Sequence, residues 1–330
     1  MKSKKKTNAK RIAIMLIIII SMISLSAIIY ATNTIINPTT IAFEDKNLYD
    51  AIKKQLSAKK ISYNGNDTEK TIEVSSNDVA KISELDISTS SISNLSGLEN
   101  FTNLTSLNLS KNTITVASPL KQLTKLESLN MSENPVNTEI LSTISTLTQL
   151  KQLDMTNTKM NGDQLDYFKN LNNIETLILA SNNISAIEKI SGLKTLTKLN
   201  ISVNTSFTDF GQVKSFTNLQ ELNVSGTGIT NFEGIKELSN IEKLYAADNK
   251  EITSSSGLSP LFETYYDSED YTTKPYLGKI KVLNLSSIGI SGRRPSISFY
   301  NFGYLTTLEE IHLASNEMSD IYGITNLVNL

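Results

Sequence analysis

One spacing constrains this chain more than any other feature. An apolar residue recurs at Ile82, Leu104, Leu126, Leu150, Ile174, Leu196, Leu219, Ile241, Ile280, Leu308 and Leu330, at intervals of 22, 22, 24, 24, 22, 23, 22, 39, 28 and 22 residues. Three positions later comes a second apolar residue, such as Leu107, Leu129, Leu153, Leu177 and Leu222, and two later a third, such as Leu109, Met131, Met155, Leu179 and Val224. A unit this short cannot enclose its own leucines, so neighbouring units must stack and share one core.

Eight residues after the first apolar position stands a polar residue, most often Asn: Asn112, Asn134, Asn182, Asn204, Asn249 and Asn316. The whole reads L-x-x-L-x-L-x-x-N, the leucine-rich repeat pattern. Its central L-x-L has period two, so a short strand sends its leucines inward and their neighbours outward. Parallel stacking then makes a sheet on the concave face of a solenoid. The Asn amide donates and accepts, which suits it to backbone groups left buried where the chain leaves the strand. Ser90, Thr158 and Thr227 do so in part; Ile288 cannot, and an interruption is expected there. The return path is short. Segments such as "ASPLKQLTK" suggest turns or 3₁₀ helix, and "GDQLDYFKNLNN" has spacing suited to a short α-helix.

The pattern sets the domain organisation: an α/β solenoid of about ten repeats over 82–330, with a linker and helical N-terminal cap over 32–81. In the cap, Asp45 is placed to N-cap a helix that turns Leu48, Ala51, Ile52 and Leu56 to one side, and "SSNDVAKI" offers a second short helix. Residues 1–31 stand apart. A start bearing Lys2, Lys4, Lys5, Lys6, Lys10 and Arg11 precedes eighteen uncharged residues, Ile12 to Ile29. That is a signal peptide or a membrane anchor, leaving the rest of the chain extracellular, secreted or on the cell surface. Contact with membrane is expected only through residues 12–29. Without residues 1–31 the chain has 25 basic and 33 acidic residues, a formal charge of −8. An acidic body with Arg only at Arg11, Arg293 and Arg294 does not suit nucleic acid. The absence of cysteine excludes disulfides and thiolate zinc sites, and a single histidine argues against metal.

At this point the chain resembles a family. The cap "FEDKNLYDAI", then "SNDVAKISELDIS", then units such as "LTSLNLSKNTITVASPLKQLTK" are similar to internalin-type leucine-rich repeat proteins of Gram-positive bacteria, over about residues 41–330. The resemblance implies a surface-displayed, non-catalytic binding module whose partners lie against the concave sheet and touch exposed aromatics. This chain departs from the pattern: its concave face has few aromatics, and no immunoglobulin-like domain or sorting signal follows the repeats. Leu330 opens a further repeat, which suggests a fragment.

Candidate contact residues follow from the outward positions. The central column runs Asp86, Asn108, Asn130, Asp154, Ile178, Asn200, Asn223, Tyr245, Asn284, His312, and the next column is mostly Ser, Thr and Ala. These suit either a solvated sheet or a wet interface for protein or glycan. Tyr245 is the one hot-spot residue type there, with His312 and Ile178 as weaker accents. The two long intervals carry Tyr265, Tyr266, Tyr271 and Tyr276, and then Arg293, Arg294, Phe299, Tyr300, Phe302 and Tyr304. Falling in adjacent repeats, these insertions are expected to meet. They either extend the core locally or build a partner-binding edge. Glu263, Asp267, Glu269 and Asp270 lack the spacing of a calcium loop, and His312 beside Glu310 is a lone histidine on a flat sheet. The leading expectation is a monomeric, non-catalytic binder of protein or surface glycan without cofactor. The alternatives are the targeting half of a larger exported enzyme continuing past residue 330, and a structural protein stacking through an open end.

Overall fold

The computed structural model describes residues 35–288, 297–316, 318–320 and 325–330. The expected export segment and the pair Arg293 and Arg294 lie outside the described residues. Among the described residues no helix is long and apolar enough to cross a membrane.

The chain begins with β1 (Pro38–Ala42), α1 (Lys46–Ala58), β2 (Tyr63–Asn66), β3 (Thr71–Ser75) and the single turn α2 (Ser76–Val79). The three strands form an antiparallel sheet in the order β1-β3-β2. The cap is therefore a sheet with one substantial helix, not the helical cap expected from the sequence. The alternation in "TIEVS" carries it: Ile72 and Val74 are fully buried beneath the helix, while Thr71 and Glu73 are not. From α1, Leu48, Tyr49, Ile52 and Leu56 fill the core, with Ala51 only partly covered.

Asp45 joins cap to solenoid. One carboxylate oxygen N-caps α1 through Asn47 N–H (2.7 Å) and Leu48 N–H (3.2 Å). The other accepts from Ser93 N–H (2.7 Å), Ser93 Oγ (2.8 Å) and Asn94 N–H (3.1 Å) in the first repeat. Burial opposes this charge, but the donors of Ser93, Asn94 and Leu48 outweigh it and hold the carboxyl below its usual range. Gly97 completes the junction. At φ +107° it presses so close that a Cβ would lie 2.5 Å from the Phe43 ring and 2.6 Å from the Ala42 carbonyl.

The solenoid strands are β4 (Glu84–Asp86), β5 (Ser106–Asn108), β6 (Ser128–Asn130), β7 (Gln152–Asp154), β8 (Thr176–Ile178), β9 (Lys198–Asn200), β10 (Glu221–Asn223) and β11 (Lys243–Tyr245). A hairpin, β12 (Thr264–Asp267) and β13 (Thr272–Pro275), interrupts them before β14 (Val282–Asn284). The short β15 (Ile297–Ser298) and β17 (Met318–Asp320) flank the last, β16 (Glu310–His312). The ten solenoid strands form one parallel sheet in chain order, Leu85 opposite Leu107 opposite Leu129 and onward to Leu283 opposite Ile311. The first apolar position of each described repeat, Ile82 to Leu308, is buried, whereas Val328 and Leu330 are exposed.

The Asn side chains form a second, buried ladder. Asn112 Nδ2 donates to the Leu109 carbonyl (2.8 Å) and to Ile87 of the preceding repeat (3.0 Å). Its Oδ1 accepts from Ser90 N–H and Ile92 N–H, both at 3.0 Å. Asn134, Asn182, Asn204 and Asn249 repeat this reach to the carbonyls of Leu109, Met155, Leu179 and Val224. Thr158 and Thr227 satisfy Met155 and Val224 (2.8 and 2.9 Å), three residues before them. Each hydroxyl also meets the Oδ1 of the next ladder residue, Asn182 at 3.2 Å and Asn249 at 2.8 Å, but neither reaches back to the preceding repeat. At Ile288 the expected break is one-sided. The buried isoleucine sends nothing back to the Asn249 repeat, yet its N–H meets Asn316 Oδ1 at 3.0 Å. Strand bonds continue past it through Ala246 N–H to Asn284 (2.8 Å) and Asp248 N–H to Ser286 (2.9 Å).

A feature not foreseen stands just before each ladder position. Thr89, Lys111, Glu133, Asn157, Ser181, Val203, Gly226, Asp248, Ser287 and Ser315 all have positive φ, between 50° and 64°. This left-handed residue turns the chain out of the strand while aiming its own N–H at the next repeat, as from Lys111 to the Ser132 carbonyl (2.9 Å). The return path is mostly 3₁₀ turns, such as Leu98–Asn100 and Ser118–Gln122. One longer repeat forms α3 (Thr138–Ile144), but the helix expected in "GDQLDYF" is 3₁₀ over Gly162–Phe168. Its buried Gly162, Leu165 and Phe168 recur every three residues, matching a 3₁₀ period rather than 3.6.

Asn204→Ala would strand the buried Ile201 carbonyl and the Ile184 N–H and leave the Leu179 carbonyl to Asn182 alone, lowering stability by about 3 kcal/mol in urea unfolding. Asn204→Thr should recover part of this by satisfying Ile201, as Thr158 and Thr227 do for their carbonyls. Asp45 generates a pH dependence. Its folded pKa lies below the unfolded value near 3.8, so its contribution is present above that pH and is lost as pH falls through the folded value. Hydrogen exchange of α1 amides should show this acid step, and Asp45→Asn should abolish it.

Candidate binding surface

The concave sheet is largely occupied with itself. In the central column, Asp86, Asn108, Asn130, Asp154, Asn200, Asn223 and Asn284 each accept, through Oδ1, the N–H two residues on, at 2.9–3.1 Å. These side chains close the turn that follows each strand. Beside them run charge pairs between repeats: Lys151 with Glu127 (2.9 Å), Lys198 with Glu221 and Lys281 with Glu242 (both 2.8 Å). The Glu242 carboxyl is held low by the Lys281 ammonium that bonds it, and Lys151 is pushed up by Glu127.

Three repeats break the column. Ile178, Tyr245 and His312 replace the Asx residue, and each is followed two residues later by Ala rather than Ser or Thr. These side chains take no part in closing the turn. Tyr245 is half-buried between Asn223 and Asn284. His312 is exposed, with Nε2 2.5 Å from Glu310 Oε1. With β14 between their strands, Tyr245 and His312 stand roughly 10 Å apart. Among the described residues no group of His, Asp and Glu is arranged to hold a metal ion.

The first insertion is the β12–β13 hairpin. It enters between Leu261 and Leu277, both buried, where other repeats pass directly from 3₁₀ turn to descending leucine. Tyr276 N–H closes its base on the Glu263 carbonyl at 3.1 Å. Lys274 clasps it, reaching Asp267 at 2.7 Å and Asp270 at 2.5 Å. These bonds hold both carboxyls below their usual range and raise the lysine. Cross-strand register pairs Tyr265 with Lys274 and Tyr266 with Thr273. Adjacent residues of a strand face opposite ways, so Tyr265 and Tyr266 part. Tyr265 meets Tyr276 at 5.2 Å between ring centroids. Tyr266 and Tyr271 stay 64% and 78% exposed. Tyr271 also holds φ +60°, a left-handed conformation costly for a bulky residue.

The second insertion behaves differently. It enters before the 3₁₀ turn Phe299–Tyr304, which contains Tyr300, whereas the hairpin follows its own 3₁₀ turn Ser259–Phe262. Besides their paired strands, the two repeats meet through Phe262 on Phe302, edge to face at 4.7 Å. Phe302 is fully buried. The hairpin thus presents Tyr266 and Tyr271 to solvent, whereas Phe302, in the turn that follows the second insertion, joins the core. Sequence reasoning did not select Lys236, Ser239 and Lys279, which flank the hairpin base; being in register with ordinary repeat positions, they carry no distinctive signal.

Comparison with known proteins agrees with this architecture. A model of leucine-rich repeats (two copies) matches residues 102–143. No curated protein matches the chain. The solved internalin InlF of Listeria monocytogenes is 23% identical, covering 88% of this chain and 81% of its own, with a TM-score of 0.62. Internalin C2 of the same organism is 24% identical, covering 85% and 99%, at 0.56. A leucine-rich repeat protein of Leptospira interrogans is 21% identical, covering 77% and 60%, at 0.60. The chain carries leucine-rich repeats, and its fold is similar to that of Listeria internalins over most of its length.

Proposed function

We propose that this chain is an exported, non-catalytic surface module that holds a protein or glycan partner, with the tyrosine hairpin as its principal contact. The observation that carries this reading is the exposure of Tyr266 and Tyr271 on a hairpin that adds nothing to the leucine core. Tyrosines supply large contact area at small entropic cost and are enriched at binding hot spots. A strained left-handed tyrosine at the tip has no packing role to maintain it; contact with a partner gives it one. Tyr245 and His312 extend the surface onto the sheet, and the basic, apolar start of the chain directs the rest outside. The preformed repeats need little ordering on binding, so modest contacts suffice.

Purified full chain, probed against arrayed extracellular proteins and glycans, should retain a ligand that Tyr266→Ala/Tyr271→Ala loses by at least tenfold at unchanged thermal stability. Equal retention by the double variant would refute the hairpin's role. On intact cells, added protease should cut the hairpin; full protection would contradict surface display. Tyr271→Gly relieves the left-handed strain, so hairpin amides should gain protection worth about 1 kcal/mol in hydrogen exchange.

A further inference from the structure

At its base the hairpin walls a cleft of about 550 Å³, lined by Ser239, Tyr265, Pro275, Tyr276, Gly278 and Lys279. The rings of Tyr265 and Tyr276, tilted at 44°, form one wall, and Pro275 continues it. Gly278 leaves the floor open: a Cβ there would meet only the Pro275 carbonyl, at 3.5 Å. The size lies within the range of small-ligand sites, about 300–1,000 Å³.

The polar groups around this wall are unspent. The Ser239 hydroxyl and the Tyr265 and Tyr276 phenols make no hydrogen bond among the described residues. Lys279 donates to Asn240 Oδ1 at 2.6 Å but makes no ion pair among them. Glu242, the acid that senses Lys279, is bonded to Lys281 at 2.8 Å. A second cation, Lys236, stands 5.9 Å from the Tyr276 ring centroid, 3.7 Å from Glu263.

An apolar peptide in this cleft would bury three hydroxyls and an ammonium without partners, at a cost for each. A neutral sugar would leave the Lys279 charge unanswered. The combination of flat ring faces, free hydroxyls and one unpaired ammonium matches a sugar ring that also carries a carboxylate. We propose that the cleft binds a uronate-bearing oligosaccharide: a pyranose face on Tyr265 and Tyr276, its hydroxyls on Ser239 and the phenols, its carboxylate on Lys279. Two other clefts lack this combination. One of about 540 Å³, lined by Thr230, Glu233, Glu251 and Pro260 among others, has acids and no aromatic ring. One of about 410 Å³ beside Lys59, Lys60 and Lys81 holds its own acids, with Asp78 2.8 Å from Lys81.

This assignment rests on the reading of the hairpin as a contact surface, and it is separable from it. The full chain is titrated by calorimetry with tetrasaccharides of hyaluronan, alginate and galacturonan, and with neutral chitotetraose. At least one uronate chain should bind with a submillimolar Kd, with chitotetraose tenfold weaker or worse. Lys279→Gln, an exposed change that leaves the hairpin clasp intact, should cost about tenfold and erase the preference for acid over neutral sugar. Tyr276→Ala should abolish binding, and Tyr276→Phe should retain most of it by keeping the ring. Failure of all three uronate chains to bind, or equal affinity in Lys279→Gln, overturns the assignment. If Tyr266→Ala/Tyr271→Ala still loses an arrayed partner in that case, the contact-surface reading stands without it.

Discussion

Every repeat depends on an amide that leaves its own coil. Stacking leucines removes apolar surface from water, but it also buries the backbone where each chain turns out of its strand. Those N–H and C=O groups need partners, since an unpaired buried polar group costs as much as a leucine gains. Asn meets the need because one planar side chain both donates and accepts across the gap between coils. Where Thr replaces it, at Thr158 and Thr227, the hydroxyl serves its own repeat and the next, and the link backward is lost. The solenoid tolerates such gaps because strand hydrogen bonds run on either side.

The same economy explains the quiet concave face. A sheet of asparagines and serines looks like a ready hydrogen-bonding surface, yet the asparagines are engaged in the turns that follow them. The side chains left without such a role are those at positions that escape turn duty and on the segment that escapes the repeat. Ile178, Tyr245 and His312 are the first kind, each coupled to a following alanine. The hairpin of residues 264–275 is the second. Its clasp of Lys274 with Asp267 and Asp270 gives it a fixed shape without drawing on the core.

Much of this was readable from residue order. The leucine spacing located the strands, and the Asn column identified the ladder, because both depend on residue type at a fixed interval. The left-handed row was not readable: Lys111, Glu133, Val203 and Gly226 share a backbone state but no side-chain chemistry. The turn-closing role of Asn108 and its counterparts was hidden, since an Asx residue two before a serine looks the same on a solvated strand. The cap sheet was missed because a helix signal beginning at Asp45 overshadowed strands of four or five residues. The fate of the inserted aromatics was open for a physical reason. Phenylalanine or tyrosine serves equally to extend a core or to present a surface, and here Phe302 does one and Tyr266 the other.

The amides that the ladder side chains receive are individually identifiable: Ile92, Ile114, Ile184 and Ile288 donate to Asn112, Asn134, Asn204 and Asn316. Residue-resolved hydrogen exchange on the full chain measures them directly. If the buried asparagines join the coils, these four amides exchange as slowly as the strand-linking amides of Leu109 and Met131. Exchange at the rate of exposed loop amides would show that the coils are held by leucine packing alone.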